Sequence, residues 1–153
     1  MEDVARPDFS SIVKDNEQAA AQALAEEAFV QAYLVVHALI EALLRLFLRI
    51  PEGRDVSFND LIRKYRSYLE EQQYPIPTFI EELTQFNRRR NRILHQLWRK
   101  GFSFTNRQTE PAAYAAVMIY GLLIEWLETF DPEVTQIGFR YDEDVQPPFG
   151  RTG

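Results

Sequence analysis

The sequence predicts an all-α fold, an up-and-down bundle of four to five helices forming one domain across 1–153. Three observations carry that expectation. Apolar residues between about 11 and 130 recur at helical rather than alternating spacing. Gly and Pro fall at only a few places in that span and cut it into helix-length segments. With 46% hydrophobic residues, 11 Phe and 7 Tyr in 153 residues, the chain can bury a sizeable core and is not a disordered polymer. A loose N-terminal arm ending at Pro7 and an acidic, then Pro/Gly-rich tail flank the helical core.

The elements follow in order. From about Ser11 to Glu27 the chain is rich in Ala, Glu and Gln, with high helix propensity and little apolar face. It continues without Gly or Pro into Phe29 to Ile50, so one long helix or two would fit. This second stretch is apolar almost all round and reads as the central helix. Its polar residues His37, Glu41, Arg45 and Arg49 recur every fourth position as one slanting surface stripe. That stripe is either solvated, with a Glu41–Arg45 pair, or lines a cleft or dimer seam. Pro51-Glu52-Gly53 ends the helix. Ser57 with Asp60 makes a capping-box-like start to a helix burying Phe58, Leu61, Ile62, Tyr65 and Leu69. Pro75, Pro77 and Thr78 introduce a fourth helix that closes at Arg99-Lys100-Gly101. Phe102 to Gln108 reads as a loop, with Thr109 capping a last helix through Tyr114 to Phe130. Asp131-Pro132 stops it, and Val134 to Tyr141 suits a short extended piece.

Composition removes several function classes. The absence of cysteine excludes a disulfide scaffold, thiolate catalysis and Cys-based zinc sites, and it fits a reducing, cytoplasmic compartment. A net charge of −6 and a pI of about 5.0 leave no general basic surface for nucleic acid, so any such contact is a local patch. The first residues carry Glu2 and Asp3 and do not resemble a signal peptide. Ala28 to Ile50 is interrupted by too many charges for a membrane span. No Gly-rich phosphate loop, HExxH or Gly-x-Ser-x-Gly occurs. His37 and His95 lack acidic flanks at metal spacing, so neither a metal nor another cofactor is expected.

What remains lies on the fourth helix, in Arg88-Arg89-Arg90-Asn91-Arg92-Ile93-Leu94-His95. At about 100° per residue, Leu83, Phe86, Ile93, Leu94 and Leu97 form its buried face, and Arg90 falls within that arc. Asn91 and His95 form a polar i,i+4 pair at the edge. A guanidinium in an apolar stripe needs a carboxylate such as Glu41, a cleft or a second chain. Trp98 reads as a partly buried anchor. An Arg, Asn and His group with surrounding arginines suits metal-independent RNA cleavage. That reaction needs proton transfer at two oxygens and a fixed cation at the phosphorus. One His serves one of those transfers at a time, so a dimer axis bringing two copies together would complete the site. Arg88, Arg89, Arg92 and Arg99 would hold backbone phosphates.

Arg90-Asn91-Arg92-Ile93-Leu94-His95 resembles the Arg-x4–6-His signature of the HEPN superfamily (higher eukaryote and prokaryote nucleotide-binding domains), in its Arg-Asn-x-x-x-His form. The context is similar too: a late helix of an all-helical domain, after a long early helix and before one more apolar helix. The resemblance implies a dimeric, metal-independent endoribonuclease with a composite site of Arg90, Asn91 and His95 at the interface. It would act as a toxin or antiphage-defence effector, with RNA as substrate and an antitoxin protein as a partner. Members inactivated by a nucleotidyltransferase antitoxin commonly carry Tyr two places after the His, where this chain has Leu97. Other members have lost catalysis and bind a nucleotide or a protein, which is the alternative expectation.

Overall fold

In the computed structural model, which describes residues 8–74 and 79–132, five helices and no strand make up the described chain. They are α1 (Phe9–Ala25), α2 (Phe29–Phe47), α3 (Phe58–Glu71), α4 (Phe79–Lys100) and α5 (Phe102–Phe130). The arm before Asp8, the Pro75–Thr78 entrance to α4 and the segment with Val134 to Tyr141 lie outside the described residues.

α2 is the central helix and packs against all four others. Its Tyr33, Val36, Ile40, Leu43 and Leu44 are fully buried, as its nearly all-round apolar pattern requires. The buried apolar residues of α1 are small (Val13, Ala20, Ala23), with Phe9 and Leu24 only partly buried, and a polar tie supplements them. The Tyr120 hydroxyl of α5 donates to the buried Glu17 carboxylate at 2.5 Å. α3 starts as the sequence suggests, Ser57 Oγ accepting from Asp60 N at 3.1 Å, and buries all five expected residues. The Glu41–Arg45 pair forms at 3.2 Å, and Arg45 also donates to the carbonyls of Arg54 and Val56, pinning the α2–α3 loop.

Helices α1 and α2 are two, not one. α1 ends in a Schellman turn: Glu27 N–H donates to Leu24 O and Ala28 N–H to Ala23 O, with Glu27 at φ 60°. The same pair of bonds ends α2 around Arg49 (φ 58°) and α3 around Gln73 (φ 59°). No glycine marks any of the three.

The largest departure from expectation is the start of α5. Phe102 to Gln108 is helical, and α5 runs 29 residues through Pro111. Gly101, at φ 86°, turns the chain sharply enough for α5 to begin at once. Thr109 lies inside the helix and donates to Thr105 O at 2.7 Å instead of capping. The extra turns place Asn106 against the start of α2. Its Oδ1 accepts from Val30 N at 3.0 Å, and its Nδ2 donates to Glu27 O at 2.8 Å. Ala28, the α2 N-cap, has no capping side chain, so Asn106 supplies the cap from another helix.

Candidate functional site

The first half of α4 is locked into the bundle. Leu83 and Phe86 are fully buried, and the Tyr33 hydroxyl donates to Phe86 O at 2.6 Å. Burial pushes the Tyr33 phenol above its ordinary range, with the guanidinium of Arg89 foremost among the influences opposing that shift.

His37 is the residue most misplaced by the sequence. Expected on a surface stripe, it is only 6% exposed. Its ring packs against Phe58 (centroids 4.4 Å) and Phe86 (5.1 Å), which also touch each other at 6.2 Å, and Nε2 meets Asn87 Oδ1 at 3.1 Å. Asn87 in turn donates from Nδ2 to Asn59 Oδ1 at 3.2 Å. An amide oxygen only accepts, so Nε2 carries a proton in this arrangement. Burial holds the His37 pKa below its ordinary value. Asn87 and Glu41 oppose that shift, and the charge of Arg90 reinforces it.

Arg90 stands one turn beyond Phe86, partly buried. Its Nε is buried with no hydrogen-bond partner among the described residues. Glu41, the carboxylate offered by the sequence, is engaged by Arg45 instead. Asn91 and His95 are exposed on a shared face of the helix. Arg99 Nη1 approaches His95 Nε2 to 3.5 Å. Arg88, Arg92 and Arg99 are exposed and fall within about 60° of His95 around the helix. Arg89 does not join them. It is half-buried on the side of α4 that meets α5, where it and Arg92 line a groove.

Two apolar expectations on α4 fail together. Leu94 is 39% exposed rather than buried, and Trp98 is 73% exposed rather than an anchor. The Trp98 ring stands edge-on to the His95 imidazole, centroids 4.8 Å apart at 81°. The apolar arc therefore outruns the core: Ile93 is covered, but Leu94 and Trp98, one turn apart, are bare. Sequence periodicity places residues on a face without showing how far along the helix that face is covered.

Among the described residues no three His, Asp or Glu side chains come together as a metal-holding group. Sequence reasoning also missed Gln96, Gln108 and Thr109, which line the α4–α5 groove with Arg89 and Arg92. Nothing marked them, because the groove depends on α5 beginning at Phe102. No family model, curated protein or solved structure matches the chain.

Proposed function

We propose that the protein is a metal-independent endoribonuclease of the HEPN type, working as a homodimer whose subunits share one Arg/His cleft. The reading rests above all on Arg90: a permanent cation within the apolar face of α4, with a buried Nε lacking a hydrogen-bond partner among the described residues. Exposed Leu94 lies one turn along on the same side, and the exposed Asn91–His95 face begins at the next residue, about 100–140° around the helix. A second copy laid over Leu94 and Trp98 would bring two such groups together.

The chemistry follows from the side chains. A neutral His95 takes the 2′-hydroxyl proton as that oxygen attacks the adjacent phosphorus. The bond from phosphorus to the 5′-oxygen breaks, and a protonated imidazole delivers its proton to the leaving oxygen. The products are a 2′,3′-cyclic phosphate and a 5′-hydroxyl. The chain has two histidines, and His37 is buried in the bundle against Phe58 and Phe86, so the second imidazole is the same side chain of another copy. Arg90 carries the extra negative charge on the phosphorus oxygens. Asn91 orients the phosphate or the ring, and Arg88, Arg92 and Arg99 hold neighbouring phosphates. Such an enzyme acts in the cytoplasm as a toxin or antiphage effector, held in check by an antitoxin protein.

The test is cleavage of labelled single-stranded RNA by the full-length protein in EDTA. Activity in chelator, with 2′,3′-cyclic ends, is expected to fall by about 100-fold or more in His95→Ala and Arg90→Ala. Activity that disappears with chelation, or that survives both substitutions, rejects the mechanism. A silent nucleotide- or protein-binding module, in line with the net charge of −6, predicts no cleavage under any of these conditions.

A further inference from the structure

The seam between α4 and α5 holds a groove of about 410 Å³ lined by Arg89, Arg92 and Gln96 from one helix and Gln108, Pro111 and Ala112 from the other. Ligand clefts for small molecules span about 300–1,000 Å³, so this one has room for far more than a lone anion. It lies on another face from the Asn91–His95 pair. Gln96 follows His95 directly, which turns it about 100° around the helix, and Arg92 stands on the ridge between the two faces.

From this lining we infer that the groove is a pocket for one nucleotide unit, reading its base as well as its phosphate. Arg89 and Arg92 are two permanent cations with no ion pair among the described residues, and no carboxylate lines the groove. Guanidinium forks match phosphate oxygens two at a time. Ile93, Pro111, Ala112 and Ala115 give an apolar wall against which a planar base can lie. Gln96 and Gln108 each offer a donor and an acceptor, the complement of a base edge. The nucleotide arrives either free or as one unit of a bound RNA strand. The pocket does not depend on the cleavage chemistry proposed for His95.

Titration calorimetry on the full-length protein tests this with the four nucleoside 5′-monophosphates, adenosine, inorganic phosphate and a short single-stranded RNA. At least one monophosphate is expected to bind, with adenosine and phosphate each weaker by about tenfold or more. Arg89→Gln/Arg92→Gln, with helicity checked by circular dichroism, is expected to weaken that monophosphate by about tenfold or more. Ala115→Phe, which fills the wall without touching charge, does the same. RNA that displaces the monophosphate identifies the strand as the source, and RNA that binds beside it identifies the free nucleotide. No binding by any monophosphate, phosphate alone binding equally well, or full affinity in Arg89→Gln/Arg92→Gln overturns the inference. A protein that binds monophosphate here and never cuts RNA keeps the pocket and loses the nuclease.

Discussion

His37 is the imidazole that folding takes out of water, and its neighbours fix the sign of its effect. Phe58 and Phe86 pack against it, Asn87 accepts from it, and Arg90 and Glu41 contribute opposite charges. Its folded pKa is lowered, chiefly by burial, so below the ordinary value of 6.5 the unfolded chain binds a proton that the native chain refuses. The stability this contributes is complete above pH 6.5 and declines as pH falls below it, by at most about 1.4 kcal/mol per pH unit. Urea denaturation at pH 5.5 and 7.5 is expected to show that slope in the wild type and its loss in His37→Gln. Equal slopes in the two proteins would mean that His37 charges as readily in the native state as in the unfolded chain. Arg90, one turn beyond Asn87, feels the same neighbourhood. A protonated His37 would add a second cation near a guanidinium whose Nε has no hydrogen-bond partner among the described residues, so Arg90 and burial both disfavour charging His37.

Helix ends decide the bundle's geometry, and here they are unusual. Glu27, Arg49 and Gln73 each adopt positive φ at the residue after a helix, a conformation that costs a side-chain-bearing residue about 1–2 kcal/mol. Gln73 is exposed. Gln73→Gly is therefore expected to raise stability by about 0.5–1 kcal/mol, the relief of strain outweighing the entropy a glycine loses on folding. A thermal melt reads the gain directly, and an unchanged or lower midpoint would show that the side chain contributes something in that turn. These ends also explain what could be read in advance. The ends at Gly101 and Asp131 and the start at Ser57 were legible because local residue types mark them. The break between α1 and α2 was not, because a Schellman turn built on Glu27 leaves no glycine to find. The start of α5 was missed for a different reason. Phe102 to Gln108 reads as a loop by itself and becomes helical in a context where Asn106 joins the Glu27 carbonyl to the Val30 amide, 79 and 76 residues away in sequence. At the candidate site, the Arg90–His95 spacing was visible from helical periodicity, and the neutral burial of His37 was not, since it depends on α3 and α4 closing over α2.

At the scale of the whole molecule, apolar surface is left over where α4 passes the end of the core. Leu94 and Trp98 are exposed one turn apart, immediately beside His95, and Phe102 at the start of α5 is 49% exposed. Trp98, 73% exposed, forgoes most of the roughly 1.5–3 kcal/mol that full burial of a large apolar side chain contributes, and the half-exposed Leu94 and Phe102 forgo a smaller share. Aromatic residues of this kind are the usual anchors of protein interfaces. If the proposed shared cleft is real, this corner is where the two copies meet, and its loss separates assembly from folding. Leu94→Glu/Trp98→Glu is expected to convert a dimer to a monomer by light scattering while helicity and melting stay close to wild type, since neither side chain supports the core. RNA cleavage should fall with the dimer even though Arg90, Asn91 and His95 are intact. Mixing wild-type protein with excess His95→Ala protein adds a complementary readout, because a heterodimer then carries a single His95 imidazole in the shared cleft. Cleavage is expected to fall below that of the same amount of wild type alone, and undiminished cleavage would mean that one imidazole suffices. A double-glutamate variant that stays dimeric would move the seam elsewhere on the bundle, and one that cuts RNA as a monomer would end the shared-cleft reading.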